Sequence, residues 1–296
     1  MPALHPLMCP TCGGTLAAGP DEARCAACGT SFPVVDGIVS FLGAAPAGVE
    51  DDFLWDYCDD ARITPLTIAR WRLMTRLLDP VDVGRVVIAV GGGGEHWPAR
   101  QLDGRVDDYV VADTSPRQLA RQWFPAGARG TAIRAAGERL PLHDGCADTV
   151  EMWGVLDHLV DPVAAIAESA RVLRPTGRLL IGMGNDGSWY RRLAGQLAPD
   201  DSDAHLRRLD VAAIGRLLEG RFVVQEVTTL AYVRLPARVE RLATRLSPRG
   251  QERLVEISDA ALRRLVGPHS GGMMFIVARP TQPARDRSAQ TTATSA

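Results

Sequence analysis

The chain contains no lysine; every one of its 33 Lys+Arg positions is arginine. Without a side-chain amine, Schiff-base catalysis and a covalently attached pyridoxal cofactor are excluded. Aromatic residues are scarce, at 5%, and few stand among the arginines, which argues against a surface that stacks on nucleic-acid bases. The net charge of -2 gives no global attraction to nucleic acid. The group Arg234, Arg238, Arg241 and Arg245 reads as a solvated helix face. No apolar run approaches the roughly 20 residues of a spanning helix, and residues 1–10 lack the basic and apolar parts of a signal peptide, so a cytoplasmic protein without a membrane partner is expected. Cysteine is also sparse in the body of the chain, where only Cys58 and Cys146 occur. What remains is an ordinary 46% of hydrophobic residues over 296 positions, enough for one large domain and a small appendage.

The other four cysteines fall in the first thirty residues, as Cys9-Pro-Thr-Cys12 and Cys25-Ala-Ala-Cys28, each pair followed by glycine. Two such knuckles can converge their thiolates on one tetrahedral Zn2+. A redox pair needs only one such motif, in a strand-helix context, and an iron-sulfur site is the other alternative. Four thiolates close the coordination shell, which makes the metal structural rather than catalytic: it replaces a core that about forty residues cannot build. Two short strands around Asp36-Gly37 close the module. Residues 1–45 are thus expected to form a zinc ribbon. Residues 46–82 follow as a small-residue linker and a helical stretch whose Trp55, Tyr57, Trp71, Leu73 and Leu77 serve as core or as a lid.

From residue 83 strands and helices alternate: 86–90, 97–102, 109–112, 116–123, 131–134, 149–152, 162–173 and 179–183. Such alternation predicts an α/β fold with a doubly wound parallel sheet, whose ligands sit beyond the carboxyl ends of the strands where the order reverses. There the first strand runs into Gly91-Gly-Gly-Gly94, a loop that admits close backbone approach by a ligand. The loop alone is compatible with a phosphate cradle, an adenosine site or a plain tight turn. Asp113, closing the second strand about twenty residues on, is placed to accept both hydroxyls of a ribose, or to cap the helix at Pro116.

The ordered segments 137–158 (Gly-Glu-Arg-Leu-Pro-Leu-His-Asp-Gly-Cys-Ala-Asp-Thr-Val-Glu-Met-Trp-Gly-Val-Leu-Asp-His) and 170–181 (Ala-Arg-Val-Leu-Arg-Pro-Thr-Gly-Arg-Leu-Leu-Ile) resemble class I S-adenosylmethionine-dependent methyltransferases, and within them the group that includes the quinone-biosynthesis enzymes. Residues 204–210 resemble that group's lead-in to the helix before its sixth strand, and 272–279 its antiparallel seventh strand. Residues 8–42 resemble a zinc-ribbon module related to the small activator subunit of certain RNA and protein methyltransferases. The resemblance implies a seven-stranded Rossmann-like sheet over 83–279, with S-adenosylmethionine bound by Gly91, Gly93, Asp113, Gly137, Glu138 and Trp153. Gly91 and Gly93 would face the methionine and ribose portion, Asp113 the ribose, and Gly137 with Glu138 the adenine edge; Trp153 would line the pocket between donor and acceptor. It offers His158 as the catalytic candidate, a general base for an acceptor hydroxyl or merely a capping residue. A sulfonium donor needs positioning above all, and demands no strong acid or metal.

Three positions depart from the family pattern: Ala89 replaces an acid inside the first strand, Glu95 replaces the last glycine of the loop, and Ala136 replaces an acid that contacts adenine. Glu95 is accordingly counted with the donor-binding residues, either as a substitute negative charge near the donor's ammonium group or as a bulk that narrows the pocket. The leading expectation is methyl transfer to a small-molecule acceptor, with the zinc remote from the chemistry. The alternatives are a ribosomal RNA methyltransferase, and a repurposed fold that binds without methylating or runs another reaction. Residues 184–215 and 231–271 are expected to cap the acceptor site. Two amphipathic helices in the second, at 237–246 and 251–265, would equally suit a homodimer interface. Residues 280–296 have little to bury and read as a disordered tail.

Overall fold

Eleven strands form one sheet in the order β1-β2-β3-β4-β7-β6-β5-β8-β9-β11-β10. The computed structural model describes residues 7–43, 64–94, 97–194, 206–233, 235 and 237–281. Trp55, Tyr57, Cys58, Glu95, Arg234 and residues 282–296 of the expected tail lie outside the described residues. In chain order the strands are β1 Leu16–Ala18, β2 Glu22–Cys25, β3 Ser31–Val35, β4 Ile38–Ser40, β5 Val86–Val90, β6 Asp108–Asp113, β7 Arg129–Arg134, β8 Ala147–Trp153, β9 Leu173–Gly184, β10 Phe222–Leu230 and β11 Met273–Pro280.

The strands of the large domain, β5 to β11, are the doubly wound part. β7, β6, β5, β8 and β9 run parallel, and β11 enters antiparallel between β9 and β10. Among the described residues the sheet has eleven strands rather than the expected seven, because the four of the cysteine-rich module, β1 to β4, continue it past β7. The module's last strand, β4, pairs in parallel with β7, Val39 opposite Ile133 and Ser40 opposite Arg134. The Asp36-Gly37 turn joins β3 to β4 with both residues at positive φ, 52° and 79°, the geometry of a tight hairpin. A parallel edge that would otherwise expose unpaired backbone groups is thereby covered.

Side-chain alternation divides the core. On β5, Ile88 and Val90 join one face with Val110, Ile133, Met152 and the helix Pro162–Val172, whereas Val87 and Ala89 face the other with Met74, Leu102, Tyr109 and Trp153. The first face also takes in Leu7, Cys9, Leu16, Cys25 and Val39, so the small module shares the main core rather than having one of its own. Helices begin where the sequence supplies a cap and a proline. Thr64, Ser115, Asp161 and Ser247 each accept an amide of the first turn, and Pro65, Pro116, Pro162 and Pro248 follow them.

The expected first helix of the second cap is shorter than its periodicity implied: Ala237–Glu240 passes into a 3-10 turn, Arg241–Arg245, before the long helix Pro248–Val266. There Glu240 is fixed in place. Arg70 of the helix Pro65–Thr75 donates to both of its oxygens, at 2.7 and 3.2 Å, in a buried pair. Among the described residues no helix is long and apolar enough to cross a membrane.

Candidate active site and metal centre

Three loops meet beyond the carboxyl ends of β5, β6, β7 and β8. The first is the glycine turn. Gly91 has φ +66° and its amide donates to Ala112 O at 2.8 Å; a Cβ there would meet Val155 Cγ2 at 2.3 Å. Gly93 lies against Gln118 and Asp113, where a Cβ would meet Gln118 Cβ at 2.6 Å and Asp113 Oδ2 at 2.9 Å. The backbone is therefore bare because strand-end loops press on it, as well as for any ligand. Asp113 Oδ2 accepts the Gly93 amide at 3.1 Å and Oδ1 the Ser115 amide at 2.9 Å. The cap of the helix Pro116–Leu119 is Ser115, whose Oγ accepts the Gln118 amide at 3.1 Å, so Asp113 orders the turn before that helix rather than capping it.

The second loop follows β7. Gly137 sits on the end of β5, 2.6 Å from Val90 Cγ1 for a built Cβ, and near Leu159. Glu138 Oε1 accepts the amides of Val160 and Asp161, at 3.1 and 3.2 Å, so this carboxylate binds the loop after β8 to the loop after β7. From the helix Pro162–Val172, Arg171 donates to Leu140 O at 2.8 Å and Leu142 O at 2.6 Å, and Glu168 accepts the Leu140 amide at 2.9 Å. Its partners Glu168 and Asp144 hold the Arg171 guanidinium above its already high range.

The third loop follows β8. His158 lies on it with Nε2 3.9 Å from Asp157 Oδ1, beyond hydrogen-bond distance, and its amide closes a turn to Val155 O at 2.9 Å. Trp153, expected along the pocket, is 7% exposed and packs into the core. Its ring stacks on Phe275 with centroids 5.6 Å apart, and its indole N–H donates to Glu151 Oε2 at 3.0 Å. Glu151, which the sequence reading passed over, is 1% exposed and accepts the Tyr109 hydroxyl at 2.5 Å on Oε1. Burial first, and the charge of Glu151 second, push the Tyr109 phenol well above its usual range. Glu151 stands directly opposite Ala89 in the β5–β8 register. The strand pair lacks an acid at the expected position and carries one on the neighbouring strand. A charged residue within the apolar run Thr149 to Trp153 was the available signal.

The four cysteines of the small module form one cluster, their sulfurs all within 4.8 Å of one another. Cys9 and Cys28 Sγ are 3.7 Å apart and Cys12 and Cys25 Sγ 3.4 Å. A zinc tetrahedron with bonds of about 2.3 Å has edges of about 3.8 Å, so the donor set fits that ion. These sulfurs are free thiols, too far apart for disulfides. Gly14 is required here, since a Cβ would come within 3.0 Å of Cys25 Sγ and 3.2 Å of Cys12 Sγ. The Thr30 hydroxyl and amide pull the Cys28 thiol down to about 6. For Cys12 the Gly14 amide acts in the same sense, but the Cys28 and Cys25 sulfurs outweigh it and push that thiol up to about 12. Such a cluster resists holding four negative charges until a cation arrives.

Residues 88–181 match the family model for the methyltransferase domain. A protein of Mycobacterium sp. (strain JLS), described as an uncharacterized methyltransferase, is 36% identical over 94 residues, which is 32% of this chain and 36% of that one. Another so described, from Mycobacterium bovis, is 35% identical over 127 residues, 40% of this chain and 49% of that one. The chain thus spans between a third and a half of the length of these two relatives. Among solved structures, one from the complex of the Haloferax volcanii Trm112 methyltransferase activator with a protein described as a methyltransferase superposes with TM-score 0.52 at 17% identity, covering 78% of this chain and 97% of that one. The fold is that of the methyltransferases.

Proposed function

We propose that the chain is an S-adenosylmethionine-dependent methyltransferase acting on a small-molecule acceptor, in the group that includes the quinone-biosynthesis enzymes. The observation that carries this reading is the placement of the glycine turn at the point where the order β7-β6-β5-β8-β9 reverses, within the segment that matches the methyltransferase domain. Gly91 and Gly93 give the donor's backbone contacts, Asp113 takes the ribose, and Gly137 bounds the adenine. Asp113 stands at the strand end beside the glycine turn, its oxygens holding the Gly93 and Ser115 amides. S-adenosylmethionine supplies the electrophilic methyl when bound. The chain's own residues bind and orient it, and His158, on the loop whose Val155 packs against Gly91, serves as the base for the acceptor in this reading. Zn2+ at Cys9, Cys12, Cys25 and Cys28 is structural.

One observation favours a second reading, a repurposed fold that binds no donor and serves as a binding module: Asp113 and Glu138 both already serve backbone amides, and Ala89 offers no acid. Calorimetry with S-adenosylhomocysteine tests the site. Micromolar binding supports the methyltransferase reading, and no heat at millimolar ligand refutes it and leaves the second. Transfer of labelled methyl into a panel of small phenols, amines and carbon acids separates the two.

A further inference from the structure

We infer that the cysteine-rich module is one arm of the donor site, so that the metal held by its four cysteines raises affinity for S-adenosylmethionine. The inference rests on the reading above in setting adenine against Gly137. Two attachments carry it. The first runs through β4. Beyond its pairing with β7, the Phe41 amide donates to Arg134 O at 2.9 Å. The Arg134 guanidinium spans back to Gly43 O and Thr114 O, both at 3.0 Å. Thr114 follows Asp113, and Arg134 ends the strand that leads to Gly137; one side chain therefore ties the exit of the module to both walls of the site.

The second attachment runs through the first knuckle itself. Met8 donates its amide to Pro141 O at 2.9 Å, Leu7 bridges to Leu142, and the Arg139 guanidinium donates to Pro10 O at 2.9 Å. Pro10 lies between the ligands Cys9 and Cys12. Loop 137–142 is thus gripped from one side by Arg171 and Glu168, on a rigid helix, and from the other by a turn whose shape the metal sets. Within that turn only the bonds Cys9 N to Gly14 O and Gly13 N to Cys9 O, at 2.9 and 2.8 Å, join backbone to backbone. Without the cation no metal–thiolate bond joins the two knuckles, the first of them loosens, and the donor must order loop 137–142 at its own expense in free energy. By linkage, the factor by which metal tightens the donor equals the factor by which the donor tightens the metal.

The test uses the full chain loaded with zinc. Zinc affinity is measured by competition with a buffered chelator, with and without saturating S-adenosylhomocysteine, and donor affinity by calorimetry. Saturating S-adenosylhomocysteine is expected to tighten zinc about five- to fiftyfold, within the usual range of couplings between sites. In Arg139→Ala one zinc per chain should remain while that factor falls severalfold. Binding of S-adenosylhomocysteine with no change in zinc affinity overturns the coupling and leaves the donor reading standing. A loaded protein that binds no S-adenosylhomocysteine overturns the donor reading and the coupling with it. The competition is run on intact loaded protein, so it decides even if the stripped chain unfolds.

Discussion

Replacing Asp113 by alanine should separate the role seen in the structure, ordering the glycine turn, from the proposed one, accepting the hydroxyls of a ribose. Oδ2 holds the Gly93 amide at 3.1 Å and Oδ1 the Ser115 amide at 2.9 Å, and the side chain is only half-buried at the strand end. A hydrogen bond to a charged group contributes about 1.5–3 kcal/mol, so losing the ribose contact should weaken donor binding about ten- to a hundredfold. Losing the two amide contacts costs less in the free protein, because a half-exposed loop lets water replace the carboxylate. Asp113→Asn is the sharper variant. It keeps the shape and one acceptor oxygen but loses the charge, and should fall between alanine and wild type. The assay is calorimetric titration with S-adenosylhomocysteine, beside thermal unfolding of each variant. A melting temperature that drops while affinity stays within twofold of wild type would refute the ribose assignment and leave Asp113 as an anchor for Gly93.

Glu151→Leu leaves the buried Tyr109 hydroxyl and Trp153 indole N–H without their acceptor, so urea unfolding should show a loss of about 2–5 kcal/mol; stability equal to wild type would mean that desolvating the carboxylate cancels both bonds. Elemental analysis should find one zinc per chain, and Cys25→Ser should lower that content; unchanged metal would refute the four-thiolate centre. Asp148 gives a pH test. Burial works to raise its pKa, but the amides of Arg85 and Val86, at 2.8 and 2.9 Å, and the guanidinium of Arg174 outweigh it and hold the folded value below the usual one. Its stabilisation is therefore complete above the unfolded pKa of about 3.9 and disappears as pH falls through the folded value. Asp148→Asn should melt lower at neutral pH and converge with wild type below about pH 4, whereas a constant deficit down to pH 3 would rule the linkage out.

Local signals carried most of the fold. The β-branched run at 86–90 and the alternation after it mark a parallel sheet because each strand is buried on both faces, and the cysteine spacing marks the four-thiol cluster because its members lie close in sequence. Loop chemistry located Asp113 and Gly137 at the strand ends. What local pattern could not give was how side chains are used once the chain closes. Glu138 looked free to meet a ligand, yet its carboxylate takes two amides twenty-two and twenty-three residues away, at Val160 and Asp161. Trp153 looked like a pocket wall, yet strand alternation turns it to the face of Phe275, where Gly182 leaves room for the ring.

The place of the small module was illegible for a different reason. β4 and β7 lie some ninety residues apart, and nothing in Ile38-Val-Ser40 distinguishes a strand that ends a hairpin from one that also extends a second sheet. The backbone itself decides: once the hairpin forms, its far edge presents unpaired amides and carbonyls, and β7 is the open edge of the parallel sheet. Joining them removes two exposed edges and lets Leu7, Leu16, Phe32 and Val39 complete a core that the module alone is too small to build. A four-cysteine cluster expected to stand on its own thereby acquires a fixed position against the loop at Gly137. The same closure that stabilises the module brings Pro10 within reach of Arg139, so its stability and the shape of loop 137–142 are set by the same contacts.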